Sequence, residues 1–247
     1  MRKKWICLLT AAVLAVSAVG AGCGGTNQDS ETGNTGGSET TVSGDENGED
    51  TATTENVQTA KTEITLADVL SAPESPTEDF AFSVTDGGWS VEAYYGTDEI
   101  VVLPEEVEGE PVVRVGRGAF INDSAPTVRA VRLSDSVKTL EDGGSFINNE
   151  TIEIVVAGSG LEEIGESVFQ NCASLNQLVL NDGLVEISSM AILNCPSLKE
   201  LEIPDSVETI GSAGIYNVAE DFVLYGAAGS AAETYAEEYG LTFQAID

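Results

Sequence analysis

Apolar residues recur at a fixed spacing in the middle of the chain, and one polar residue type recurs with them. The stretch GLEEIGESVFQNCASLNQLVL (160–180) is followed by GLVEISSMAILNCPSLKELEI (183–203). When the two stretches are superposed, Leu161 matches Leu184 and Ile164 matches Ile187, at the same offset of 23 in both pairs. A repeat period of about 20 to 50 residues predicts a stacked architecture, because one repeat cannot bury its own apolar edge.

The same template extends in both directions and predicts five repeats over residues 103–221. Short apolar runs such as LVL and LEI predict strands that pair side by side, about 4.8 Å apart. Each repeat carries an asparagine that follows an apolar position, and the successive offsets between these asparagines are 26, 23, 23 and 23. We expect an internal ladder of amides that satisfies buried backbone groups. Its members are Asn122, Asn148, Asn171, Asn194 and Asn217.

Both ends of the repeat region carry patterns typical of caps. Residues 80–102 begin with alternating apolar and polar residues around Asp86-Gly87-Gly88, which predicts a β-hairpin. Residues 222–247 contain Ser230 and Glu233 at the spacing of a capping box, followed by one helical face and Gly240. The prediction is therefore a β-rich solenoid with an N-terminal hairpin cap and a C-terminal cap made of a helix and a strand.

Three sequence motifs resemble a known family. The segments IPDSVETIG (203–211), GAF (118–120) and NCPSL (194–198) are similar to the BspA-like leucine-rich repeats of bacterial surface proteins. The resemblance implies a leucine-rich-repeat solenoid that binds host or bacterial proteins, as an analogy from fold.

The first 22 residues resemble the signal peptide of a bacterial lipoprotein. Arg2, Lys3 and Lys4 precede an apolar run, and small residues precede Cys23. The resemblance implies a lipid on Cys23 that anchors the chain to the extracellular face of a bacterial membrane, and an ordinary secretory signal is the alternative. Residues 23–79 are rich in Gly, Ser, Thr, Asp and Glu, which predicts a disordered acidic tether.

Composition excludes several functions. The chain of 247 residues has 42 acidic and 10 basic residues, a formal net charge of −32, which disfavours binding to nucleic acid. It has no histidine, the usual general base and transition-metal ligand, and none of the common catalytic motifs. We expect no enzymatic activity, no cofactor and no metal, and a monomer.

Two cysteines would remain in the mature repeat region, Cys172 and Cys195, at equivalent positions of adjacent repeats. Side chains of one column point the same way, which opposes disulfide geometry. Two buried thiols that act as small apolar residues are therefore expected, with a disulfide as the alternative.

Alternation along the predicted strands suggests a binding face. If Val131, Leu178 and Leu201 point inward, the residues next to them along each strand point outward, and one row of exposed side chains crosses the repeats. The row consists of Arg132, Val155, Val179 and Glu202, and Glu153, Gln177 and Glu200 lie beside it. Ordinary strand preference for such residues is the alternative explanation.

The hypothesis is a cell-surface lipoprotein that presents a repeat module for protein recognition or adhesion. The alternative is a structural or carbohydrate-binding lipoprotein of the cell wall. Exposed aromatic residues on the strand face would favour sugar binding, and the predicted row contains none.

Overall fold

The structure is a computed structural model, and it describes residues 62–121, 123 and 125–246. The described residues contain two α-helices, α1 (Leu66–Ser71) and α2 (Ala231–Tyr239). The first strands are β1 (Phe80–Thr85), β2 (Gly88–Tyr94), β3 (Ile100–Val102), β4 (Glu106–Val107), β5 (Glu110–Val115), β6 (Ala130–Arg132), β7 (Thr139–Leu140), β8 (Ile154–Val156) and β9 (Glu163–Ile164). They are followed by β10 (Gln177–Val179), β11 (Glu186–Ile187), β12 (Ile192–Cys195), β13 (Glu200–Glu202), β14 (Thr209–Ile210), β15 (Ile215–Val218), β16 (Val223–Gly226) and β17 (Thr242–Ala245).

The strands form parallel columns along a solenoid, as the repeat predicts. The first column runs β2, β5, β7, β9, β11 and β14, with each strand paired to the next turn. The second column runs β3, β6, β8, β10, β13, β16 and β17. Its central residues are Val101, Val131, Val155, Leu178, Leu201, Leu224 and Phe243. The fold class is confirmed, with about seven turns counted along this column of the described residues.

Equivalent side chains stack along the axis and make the core. The rings of Phe120 and Phe146 lie 5.1 Å apart between centroids, and those of Phe146 and Phe169 lie 5.1 Å apart. Tyr94 extends the stack at its N-terminal end, 6.3 Å from Phe120. Offset rings at such distances stabilise the core by about 0.5–1.5 kcal/mol per pair beyond the area that they bury.

Strands β1 and β2 form a hairpin at the position predicted from sequence. β1 and β2 are antiparallel, and the tight turn between them places Gly87 at φ 84°, a left-handed conformation that glycine adopts without strain. Trp89 donates its indole N–H to the carbonyl of Val107, 2.8 Å away, so this aromatic residue packs within the cap. The hairpin therefore covers the first turn through the pairing of β2 with β5.

The predicted C-terminal helix and strand are also confirmed. Ser230 accepts a hydrogen bond from the backbone of Glu233, and the helix ends at Gly240 with φ 68°. The Glu233 carboxylate accepts from the backbone N–H of Gly229, one residue before the position that a capping box requires. The hydroxyl of Tyr235 accepts from Ile215 N–H, and that of Tyr239 accepts from Ala213 N–H. These two hydroxyls of α2 therefore take the place of the backbone carbonyls that the next turn of a solenoid would provide.

The number of repeats and the boundary of the tether both need correction. Five repeats over 103–221 undercount the solenoid, since β3, β16 and β17 lie in the segments predicted as caps and yet continue the second column. The predicted tether extends to residue 79, but residues 62–79 are folded: α1 begins with a capping box at Thr65 and Asp68. The signal peptide, Cys23 and the rest of the tether lie outside the described residues.

Candidate functional site

Two rows of side chains point outward from the second column. Because Val131, Val155, Leu178 and Leu201 are core residues, their neighbours on either side face away from the core. Arg132, Val179 and Glu202 lie in one of these rows, as predicted from sequence, and Gln177 and Glu200 lie in the other. From β3 to β17 the two rows are Ile100, Ala130, Ile154, Gln177, Glu200, Val223 and Thr242, and Val102, Arg132, Val156, Val179, Glu202, Tyr225 and Gln244.

Two of the predicted face residues are misplaced. Val155 is 1% exposed and belongs to the core, and Val156 takes its place in the outward row. The step along the chain from Val131 to Val155, the central residues of β6 and β8, is longer by a single residue than the step from Val155 to Leu178. A shift of one residue moves a strand residue to the opposite face. Glu153 likewise lies before the strand rather than in the row with Gln177.

Glu153 holds a buried arginine instead. Its carboxylate accepts from Nε and Nη2 of Arg129, both at 2.9 Å, and Glu99 lies 3.4 Å from Nη1. The hydrogen bond to Glu153 raises the pKa of the Arg129 guanidinium, and burial opposes this shift. Arg129 also donates from Nη1 to the backbone carbonyl of Thr62 at 2.8 Å, which ties the segment before α1 to the solenoid.

The N-terminal half of the outward face is covered by this segment. Val69 of α1 is fully buried and packs in a cluster with Ala130, Ile154 and Val156. Arg132 donates to the carbonyls of Leu70 and Ala72, at 3.3 and 2.9 Å, and so holds the C-terminal end of the helix. Docked α1 therefore covers Ala130 and Ile154, and a cleft of about 570 Å³ remains beside it, lined in part by Leu70, Arg132 and Val156.

The C-terminal half is open, and there the sheet is interrupted. Backbone hydrogen bonds join adjacent turns on either side of the interruption: Ala157 N–H donates to the carbonyl of Val179, and Ile203 N–H donates to the carbonyl of Tyr225, both at 2.9 Å. In the part of the chain that the structure describes, no backbone hydrogen bond joins β10 to β13, although the two strands are neighbours. We call this interruption between β10 and β13 the seam.

The seam exposes main-chain groups of two strand edges. Residues 177 and 179 bond to β8, so the N–H and C=O of Leu178 point toward β13. On the other side, residues 199, 201 and 203 face β16, so the N–H and C=O of Glu200 and Glu202 point toward β10. Because β10 and β13 approach within 8 Å, no further strand fits between them, and these groups can bond instead to polar groups of a ligand that lies over the seam.

A cleft of about 700 Å³ lies over the seam. Its rim carries the exposed carboxylates of Glu200 and Glu202, and the half-buried Gln177, Val179 and Tyr225 complete it. Tyr225 is an aromatic residue in the outward row that the sequence prediction missed, because the row was not extended beyond Glu202. The cleft therefore combines acidic groups, free backbone groups and one aromatic ring.

The asparagine column is a ladder at the surface, not inside the core. Asn171 donates to Asn148, Asn194 to Asn171 and Asn217 to Asn194, each from Nδ2 to Oδ1 at 2.7 Å. The four residues are exposed or half-buried and have φ between 53° and 61°, a left-handed conformation that asparagine tolerates better than most residues. The expectation of an internal ladder is therefore wrong for these four residues, and Asn122 lies outside the described residues.

The residues that directly follow the ladder asparagines satisfy the buried backbone groups instead. Asn149 is fully buried, donates to the carbonyl of Phe120 and accepts from the N–H groups of Thr151 and Ile152. Cys172 and Cys195 occupy the equivalent positions as free buried thiols, and their Sγ atoms donate to the carbonyls of Phe146 and Phe169. These thiols are hydrogen-bond donors as well as small packing residues.

Metal sites and membrane spans are not found in the described part of the chain. Within residues 62–121, 123 and 125–246, no group of three or more acidic, histidine or cysteine side chains is arranged to hold a metal ion. No helix in that same part is long and apolar enough to span a bilayer.

Comparisons with known proteins agree with the fold. A family model described as BspA type leucine rich repeat region matches residues 101–220 in six copies. A leucine-rich repeat protein from Bacteroides ovatus is similar in structure, with 19% identity and a TM-score of 0.50 over 62% of this chain and 47% of that one. No curated protein matches the sequence.

Two further solved structures are similar at lower scores. The leucine rich repeat protein of T. pallidum has 22% identity and a TM-score of 0.47, over 70% of this chain and 98% of that one. A leucine rich cell surface protein from Faecalibacterium prausnitzii has 16% identity and a TM-score of 0.44, over 71% of this chain and 55% of that one. The chain thus spans about half the length of two of these three proteins.

Proposed function

Since residues 101–220 belong to the BspA-type leucine-rich repeat family, we propose that the chain is a cell-surface lipoprotein whose solenoid recognises other proteins. The family supports a repeat module for binding or adhesion. Anchoring through a lipid on Cys23, at the extracellular face of a bacterial membrane, is part of the proposal and rests on the N-terminal sequence. The proposed role is binding without catalysis.

The seam is the observation that carries the proposal. It leaves main-chain donors and acceptors of Leu178, Glu200 and Glu202 free on the open half of the outward face. Polar side chains of a protein that lies over the seam can bond to such groups, and its other side chains then contact the outward rows. Because the rim presents Glu200 and Glu202, the ligand is a protein segment with basic residues.

A pair of charge-reversal variants tests the site. Host matrix proteins and bacterial envelope proteins are captured on the full chain and on the double variant Glu200→Lys/Glu202→Lys. The matched control is Glu186→Lys/Glu208→Lys, which changes the net charge equally at exposed positions on or beside the first column. We expect the rim variant to lose captured proteins that the control retains.

Two results would contradict the proposal. Equal loss in both variants would mean that binding depends on net charge alone, and equal retention would mean that the seam is not the site. A direct measurement of affinity for each captured protein, at two salt concentrations, separates the two cases.

A carbohydrate ligand is the second candidate, favoured by Tyr225 in the cleft. An aromatic ring beside amide and carboxylate groups suits a sugar, which presents both an apolar face and hydroxyl groups. Substitution of Tyr225 by alanine distinguishes the candidates, because a sugar would lose most of its affinity, whereas a basic protein bound by the rim carboxylates and the main-chain groups of the seam would lose little.

A further inference from the structure

The ends of the solenoid differ in how their strand edges are closed. At the N-terminal end, β1 pairs with β2, and Ser75 closes β3: its N–H donates to Val102 at 2.9 Å, and its Oγ accepts from Val102 at 3.1 Å. At the C-terminal end, the hydroxyl of Tyr235 both accepts from and donates to the backbone of Ile215. β17 is the last strand of the second column, and among the described residues no strand pairs with its outer edge.

The register identifies the free groups of β17. Ile246 N–H donates to Gly226 at 3.0 Å, and Phe243 lies opposite Leu224. Main-chain groups of a strand alternate in direction, so Thr242, Gln244 and Ile246 face β16. The N–H and C=O groups of Phe243 and Ala245 therefore point away from the solenoid.

The side chains of this edge do not protect it. Natural edge strands are usually guarded by a lysine, a proline or a bulge, but residues 241–246 read Leu-Thr-Phe-Gln-Ala-Ile. Phe243 continues the core column of Leu201 and Leu224 and is only half-buried, because none of the described residues forms a further turn over it. A strand added here would place an apolar residue on the Phe243 ring, as each turn does for the one before it.

The net charge of the chain disfavours some partner strands at the β17 edge and favours others. With 42 acidic and 10 basic residues, two copies of the chain repel each other, which disfavours pairing of β17 with the β17 of a second copy. A segment with basic residues is attracted by the same field, so it gains both the main-chain bonds and the electrostatic attraction.

We propose that β17 is a docking edge for an extended, net-basic segment of another protein. The segment pairs with the main chain of Phe243 and Ala245 and covers the Phe243 ring with an apolar side chain. This edge is separate from the seam, since β16 lies between β13 and β17. Either surface can therefore be tested without the other.

The test uses the full chain and a nine-residue peptide of alternating lysine and valine, with acetylated and amidated ends. Amide hydrogen exchange is followed residue by residue. We expect the peptide to slow exchange at Phe243 and Ala245, whereas Gln244 and Ile246 change little because β16 already bonds them. A peptide of alternating glutamate and valine is the matched control and should protect neither residue.

A pair of variants adds a test by affinity. Ala245→Pro removes an outward N–H and leaves the bonds to β16 in place, so it should weaken lysine–valine peptide binding at least about tenfold. Gln244→Ala, which alters an outward side chain and no edge group, should bind as the unchanged chain does. The melting temperature of each variant reports whether the fold is retained.

Three outcomes would overturn the proposal. Protection at Leu178 and Glu200 without protection at Phe243 and Ala245 would assign the peptide to the seam. Binding without protection at any of these residues would reduce the effect to charge attraction. A concentration-dependent dimer that Ala245→Pro abolishes would show that a second copy covers the edge.

Discussion

Replacement of Asn149 by alanine should destabilise the solenoid far more than the same change in the asparagine ladder. The Asn149 side chain is fully buried and bonds to the carbonyl of Phe120 and to the N–H groups of Thr151 and Ile152. Alanine leaves these three backbone groups, two of them buried and that of Thr151 half-buried, without their side-chain partner. Each such group raises the free energy of the folded state by about 1–3 kcal/mol, and partial relaxation reduces the sum, so we expect a loss of about 3–5 kcal/mol.

The ladder position Asn194 provides the comparison. Its amide makes two hydrogen bonds at a half-buried surface, where water replaces them, and its φ is 59°. Alanine in the left-handed region costs about 1–2 kcal/mol, so Asn194→Ala should lose about that amount. Asn194→Gly should lose less, because glycine adopts this conformation without strain.

The assay is urea unfolding at neutral pH, followed by circular dichroism, on the unchanged chain and the three variants. Asn149→Cys adds a further test, since Cys172 and Cys195 stand at the equivalent positions and donate to a carbonyl in the same way. It should recover part of the lost stability. Equal losses for Asn149→Ala and Asn194→Ala, or a loss below about 1 kcal/mol for Asn149→Ala, would refute the assignment of the buried role to this column.

Three further predictions concern the anchor, α1 and two tyrosines. Cys23→Ala should abolish incorporation of a radiolabelled fatty acid and release the chain from membranes, which fractionation of cells measures. Val69→Asp places a charge in a fully buried position and should release α1, so that exchange of the backbone N–H at position 69 with deuterium becomes faster than in the unchanged chain. Burial raises the pKa of Tyr94 and of Tyr235 to about 12, from an ordinary value near 10. Stability from these phenols is therefore fully present below pH 10 and is lost between about pH 10 and 12, which unfolding measured across that range detects.

The repeat period was enough to predict the architecture because stacking makes each turn depend on the same residue positions. Phe120, Phe146 and Phe169 are in one column of the sequence and in one stack of the structure. A single change of period was enough to misplace Val155. The spacing between the central residues Val131 and Val155 is longer by one residue than in the following repeat, and this places Val155 in the core rather than at the surface. Because Val155 and Val156 are the same residue type, the sequence does not show which of the two is buried.

The asparagine column shows why residue type alone does not fix a role. An asparagine can occupy a left-handed backbone position, and its side-chain amide can also bond to a buried backbone group. Asn148 has the left-handed backbone, and the adjacent Asn149 bonds to the buried carbonyl of Phe120. The sequence offered a signal, because the equivalents of Asn149 are Cys172 and Cys195, which are small residues suited to a buried site.

The segment before the hairpin was misjudged because composition averages over its length. Most of residues 23–79 are polar, but Thr65 and Asp68 form a capping box, and Val69 lies on the face that contacts the sheet. Three or four apolar side chains stabilise such a short helix only where a second surface receives them, and Ile154 and Val156 provide that surface. Contacts between distant segments of this kind leave no periodic signal.

Docking of α1 also determines the charge of the surface that remains open. Arg129 and Arg132 are two of only 10 basic residues, and both bond to backbone carbonyls of the segment around α1. Their charges are held on the covered half of the outward face, where Glu153 pairs with one of them. The open half is left with Glu200 and Glu202, whose exposed carboxylates have no arginine in their rows on β10 or β16. The proposed preference of the seam for basic ligands therefore follows from the same contacts that hold α1 over the other half of the face.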